Sequence, residues 1–170
     1  MPLLASPLLY FLFGACFVAL KTGANIGPDE SEHVWRALLY KNTLKIHLTD
    51  TDETMFYGLV SRFFYLYHWL LGKSAHLNLF GVGDLIFFRL INVGLATSSL
   101  LLLLYGASLV SRSTLFLLGV MWWVVLVTME VFIAGLVSYD NLANLICSAS
   151  IVLFLKWYRF DDSKAFLGLL

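Results

Sequence analysis

An all-α integral membrane protein, with about four transmembrane helices and two amphipathic interfacial helices in a long first external loop, is the fold class this sequence predicts. Three observations predict it. The 170 residues are 60% hydrophobic and only 13% charged, whereas a soluble domain runs at roughly 45–50% apolar and about 25% charged. The mean hydropathy is +0.83, and charge-free runs about one bilayer crossing long recur along the chain. The 14 Phe, 8 Tyr and 5 Trp suit a polypeptide that meets lipid headgroups repeatedly.

The same composition excludes other classes. The chain is too oily for intrinsic disorder, collagen or a coiled coil. Its 11 Lys and Arg balance 11 Asp and Glu, which excludes a basic nucleic-acid binder. Cys16 and Cys147 both lie in apolar runs, where a thiol behaves as a small hydrophobe, and no metal-ligand spacing of Cys and His exists. Residues 1–20 carry no Lys or Arg ahead of the apolar stretch and no clean cleavage site, so they read as an uncleaved first span.

The elements follow in order. Spans are expected near 3–20, 88–110, 114–136 and 140–158, the third interrupted only by Glu130. Between the first two spans, residues 21–84 hold seven of the eleven acids and all four histidines. There, Pro28 suits the opening turn of a helix whose early acids answer the helix dipole, with Val34, Trp35, Leu38 and Leu39 as its apolar face. A second helix is expected after Asp50-Thr51-Asp52-Glu53, where Asp50 and Glu53 have capping-box spacing. It places Phe56, Leu59, Phe63, Leu66, Tyr67 and Leu70 at helical intervals, as in a helix lying along a membrane surface. Residues 72–83 read as a loop. Arg112, Lys156 and Arg159 share one side, which the positive-inside rule makes cytoplasmic. Both termini are then cytoplasmic and residues 21–84 external, in what is expected to be the plasma (inner) membrane.

Three groups could carry chemistry. Asp29 and Glu30 stand at a helix start close to the membrane surface, with His33 one turn on. Adjacent carboxylates there act as a general base or grip a cation, or they only cap the helix. Asp50-Thr51-Asp52-Glu53 holds Mg²⁺ or Mn²⁺ through its Asp-x-Asp pair, or is likewise a cap. Glu130 interrupts an apolar run, and an ionisable group in such a run marks a functional site by default. It either faces an outer cavity with Asp29 and Asp140 or pairs with Arg89 across helices. Trp122-Trp123 reads as packing surface.

A first span, then Pro28-Asp29-Glu30-x-x-His33 opening a juxtamembrane helix, a second interfacial helix and further spans resembles the C-type (GT-C) glycosyltransferases, which take a sugar from a polyprenyl-phosphate carrier at the outer membrane face. Protein O-mannosyltransferases and aminoarabinose transferases are the branches most similar in appearance. The stretch Gly135-Leu136-Val137-Ser138-Tyr139-Asp140-Asn141-Leu142-Ala143-Asn144 is similar to an Asp/Asn-bearing turn at the outer junction of spans three and four in that family. The resemblance implies Asp29 as the base that deprotonates an acceptor hydroxyl, Glu30 as its catalytic neighbour, and His33, Glu130, Asp140 and Asn141 as substrate-binding residues. Family enzymes have many more than four spans, so it implies a truncated or partial transferase whose partners are membrane lipid, a polyprenyl-phosphate sugar and other membrane subunits. The alternative is a non-catalytic accessory subunit of a larger membrane complex that retains the acidic turn.

Overall fold

The computed structural model describes residues 2–24, 26–27, 29–47, 49–55, 65–79 and 81–160. They form α1 (Pro2–Lys21), α2 (Glu30–Lys41), α3 (Asp52–Met55), α4 (Tyr65–Ser74) with a 3₁₀ turn (Ala75–Leu77), α5 (Asp84–Val110), α6 (Thr114–Val125), α7 (Thr128–Ala134) and α8 (Asp140–Phe160). No strand occurs among the described residues.

Three of these helices, at Leu3–Lys21, Asp84–Val110 and Asp140–Arg159, are long and apolar enough to cross a membrane, and a fourth crossing results if α6 and α7 count as one bent span. Pairwise contacts show that α6 and α7 together make one return along the bundle. Asn141 meets Asn92, Ser148 meets Ser99 and Arg159 meets Val110, each pair 49 positions apart. A constant offset means that α5 and α8 run parallel, so the chain between them returns to its starting level. At 1.5 Å per residue, α6 alone covers only about 18 Å. α6 and α7 make the return together, along α1: Tyr10 touches Trp122, Gly14 faces Val131, and Gly135 lies against Ala15 and Val18. A β-carbon at Gly135 would sit 2.7 Å from the Ala15 carbonyl oxygen, so this close approach requires glycine.

The expected third span is therefore broken, with a 69° bend between α6 and α7. Neither proline nor glycine causes it. Val124, Val125, Val127 and Thr128 crowd the break, and β-branched side chains restrict the rotamers that a helix allows. Val127 takes extended backbone there, at ψ 97.

The buried interior of the bundle gathers Phe11, Ala15 and Ala19 from α1, Val93 and Leu100 from α5, and Met121 and Val125 from α6. Leu9, Phe13, Phe17, Leu115 and Trp123 are exposed. Trp122 is half-buried against Tyr10, but Trp123 is 77% exposed, so only one of the two tryptophans packs within the chain.

At one end of the bundle α2 and α4 form a cap. They run parallel, with His33 beside His68 and Lys41 beside Lys73 and His76. Gly72 belongs to this contact and not to a loop, since a β-carbon there would stand 2.2 Å from the Ala37 carbonyl oxygen. The expected apolar face of α2 is rotated. His33, Val34, Arg36, Ala37 and Tyr40 are buried, while Trp35 is 49% exposed. On α4 the buried residues are Tyr67, His68 and Leu71, whereas Leu66 and Leu70 are exposed. Phe56, Leu59 and Phe63 lie outside the described residues. The cap expected at Asp50 falls on Thr51: its backbone N–H donates to Thr54 Oγ1 at 2.8 Å, and the Thr54 N–H donates to Thr51 Oγ1. Span two begins at Asp84, a turn earlier than expected.

Candidate functional site

The capped end is built around a knot. Glu30, at the first turn of α2, and Arg89, on α5, are each 1% exposed. Arg89 Nε donates to Glu30 Oε1 at 2.8 Å and Nη2 to Oε2 at 2.6 Å, a bidentate fork. The backbone N–H of Val137 donates to the same Oε1 at 3.0 Å. Arg89 also donates to the carbonyls of Ala19, Thr22 and Gly23, satisfying acceptors that the end of α1 leaves open. The Arg89–Glu30 pair thus ties α1, α2, α5 and the 135–139 turn together. An acid whose oxygens are so occupied holds structure in place. Arg89 is committed here, so the alternative in which it pairs with Glu130 does not hold.

Asp29 differs from its neighbour in every respect. It is exposed, and it occupies the N-cap position of α2 without making a side-chain cap bond. Its backbone is left-handed, at φ 57, a conformation uncommon outside glycine but tolerated by Asp and Asn. Of the two roles expected for it, base or cap, the side-chain cap bond is not made, and its carboxylate is left unspent.

His33 lies beneath Asp29, one turn along α2. Its Nδ1 is 3.0 Å from His68 Nε2, one ring nitrogen donating to the other. The rings of Tyr67 and Tyr139 approach it edge-on. Burial is the largest influence on His33 and pushes its pKa below the ordinary 6.5, with Arg36 adding to the effect and Asp29, Asp140 and Glu32 opposing it. Burial also drives the Tyr67 hydroxyl well above its ordinary range, so Tyr67 serves as a neutral donor to Asn92 Oδ1 at 2.9 Å.

Asn92 links cap and bundle, because its Oδ1 also accepts from Asn141 Nδ2 at 3.0 Å. Asn141 donates further to the carbonyls of Ile133 and Leu136. Asp140, half-buried at the start of α8, accepts from Ser138 Oγ at 2.8 Å. By the constant offset, α8 begins level with Ile91, about 10 Å further down the bundle than the start of α5. Asp140 and the turn before it therefore stand below the level at which α5 starts.

The structure brings Asp29, His33 and Asp140 near one another at the capped end, and their charges act on the same imidazole. Glu130 is elsewhere. It lines a separate small cavity of about 50 Å³ with Phe11, Ser99, Asn141 and Asn144, instead of sharing a cavity with Asp29. Among the described residues, no three His, Cys, Asp or Glu side chains come together as a metal-binding group; the side chains of Asp52 and Glu53 lie outside them. The sequence reading missed the structural partnership of Tyr67, His68 and Asn92. The available signal was Asn92 itself, a polar residue in an apolar run.

No protein-family model, curated protein or solved structure matches the chain.

Proposed function

We propose that the chain is a partial C-type glycosyltransferase module, embedded in the plasma (inner) membrane by four crossings with the α2–α4 cap on the outer face. One observation carries the reading: an exposed, uncommitted Asp29 carboxylate is held in left-handed backbone next to a fully committed Glu30. Glu30 positions and Asp29 reacts. A polyprenyl-phosphate carrier keeps its tail in lipid and its phosphate in the headgroup layer, and a base close after the end of a first span would stand in that layer. Asp29 would take the proton of an acceptor hydroxyl as that oxygen attacks the anomeric carbon. The bond from that carbon to the phosphate oxygen breaks, and the polyprenyl phosphate leaves with its electron pair. His33, kept neutral, and Asp140 line the approach from below.

The decisive assay places the purified chain in lipid nanodiscs with labelled polyprenyl-phosphate hexoses, offering water and a Ser/Thr peptide as acceptors. Asp29→Asn retains the left-handed backbone and should lower transfer by about 10²–10⁴-fold, the usual worth of a general base. Transfer within a few-fold of wild type would reduce Asp29 to a helix terminus. A wild-type chain with no transfer at all would favour the accessory-subunit reading. For orientation, with Cys16 and Cys147 replaced, Leu79→Cys should react with an impermeant maleimide from outside intact cells and Arg112→Cys should not. The reverse pattern would invert the topology.

A further inference from the structure

We infer that the cavity beside Glu130 binds a single small monovalent cation, with Na⁺ the best fit. Phe11 stands midway along α1 and Ser99 midway along α5, so the cavity they line lies near the middle of the bundle. Glu130 is half-buried there. Among the described residues its carboxylate has no hydrogen-bond or ion-pair partner, in contrast with Glu30.

The other polar groups, which share the lining with apolar side chains such as Phe11 and Leu100, are oxygen donors. The Asn141 amide nitrogen is spent on three acceptors, which leaves its carbonyl oxygen for a ligand. Asn144 contributes a second amide, and Ser99 a hydroxyl that shares one hydrogen bond with Ser148. Val124, in the last turn of α6, also lines the cavity. This turn is the negative end of a helix dipole, and its Val124 carbonyl accepts from the Val127 N–H at 3.1 Å, so it contributes field and not a free ligand. Interrupted spans whose C-terminal half-helix ends face a cavity are a recurrent way to hold Na⁺ or H⁺.

Charge and size narrow the ligand. No Lys, Arg or His lines the cavity, so its field is negative and favours a cation. About 50 Å³ has room for one ion with a water or two, since a single water needs only about 10–15 Å³ of such space, and the lining offers a phosphate no cation. Ca²⁺ takes six to eight oxygens, and Mg²⁺ retains several waters; one carboxylate in this volume suits neither.

The test uses the purified chain in detergent micelles, with NaCl exchanged for choline chloride at constant ionic strength. Tm and the fluorescence of the tryptophans, which include Trp122 and Trp123 just before the break, are followed. Na⁺ should raise Tm saturably, by about 5–10 °C at a concentration a hundredfold above Kd, with a weaker response to K⁺. Glu130→Gln should abolish the rise, and Asn144→Leu should weaken apparent affinity at least several-fold. If Glu130→Gln fails to fold, Asn144→Leu decides alone, because Asn144 is exposed on α8 and its loss leaves the bundle intact. An equal rise in the variants, or none in Na⁺ over choline, overturns the site. So does stabilisation by low pH alone, which would make Glu130 a proton site. Protection of Asn144→Cys from alkylation in native membranes but not in micelles, regardless of Na⁺, would assign the cleft to a partner helix instead.

Discussion

Two glutamates of this chain stand in opposite circumstances. Glu30 is buried at the capped end with a bidentate arginine and a backbone N–H on its oxygens. Glu130 is half-buried midway down the bundle and has no such partner among the described residues. The first, through Arg89, binds four segments of the chain together; the second has a carboxylate without a partner among the described residues. Identical side chains thus divide into structure and site according to whether their hydrogen-bonding capacity is used.

The sharpest way to break the comparison is to remove one member of the knot. Arg89→Met leaves Glu30 buried without a counter-charge and uncaps the end of α1. Breaking such a pair costs about 3–5 kcal/mol, so unfolding in micelles should shift by that amount. The double variant Glu30→Gln/Arg89→Met should recover part of the loss. A shift below about 1 kcal/mol for Arg89→Met would mean that the knot is solvated and that Glu30 is no different from Glu130.

The cap itself should be nearly as sensitive to a single methyl group. Gly72→Ala places a β-carbon against the Ala37 backbone, and overpacking of this kind typically costs about 1–3 kcal/mol. α4 must move off α2, which separates His33 from His68. Normal stability together with unchanged protection of both imidazoles from modification would show that the helices do not meet at Gly72.

A smaller, reversible loss should follow acidification. Because burial lowers the His33 pKa from 6.5, the unfolded chain binds the proton more readily than the folded one. The neutral-imidazole stability is complete above pH 6.5 and is lost as the pH falls from there through the folded-state value. Stability measured between pH 8 and 5 should decline below 6.5, and His33→Gln should flatten that part of the profile. Unaltered pH dependence in the variant would place the sensitivity elsewhere.

The least effect belongs to the rim. Lys41 Nζ meets Asp84 Oδ2 at 2.9 Å, with both side chains about a third exposed. Exposed pairs contribute about 1 kcal/mol or less, so Lys41→Met should be nearly silent in the same unfolding measurement. A loss as large as that of Arg89→Met would erase the distinction between knot and rim.

Much of this architecture was legible in the amino-acid pattern. A charge-free run such as residues 1–20 has few alternatives to a membrane-length helix, because composition and length decide that outcome locally. The acidic start of α2 was legible for the same reason. The break at residues 126–127 was not, since no proline or glycine announces it and the bend depends on how α6 and α7 lie along α1. Nor was the buried face of α2: Trp35 and Val34 are both apolar, and only the position of α4 determines which of them is covered.

For the candidate site the division is sharper. The sequence by itself determined that Asp29, Glu30, His33 and Asp140 would fall close to span ends, because hydrophobic runs set where the chain leaves the bundle. It also marked Glu130 as exceptional, since a charge inside an apolar stretch must find a partner or a ligand. Only the tertiary structure decided that Arg89 goes to Glu30 and not to Glu130, which leaves Asp29 and Glu130 unspent among the described side chains. The physical reason is that a guanidinium reaches whichever carboxylate the packing brings within about 3 Å in fork geometry. That distance spans 59 positions of sequence here, and no local pattern records it.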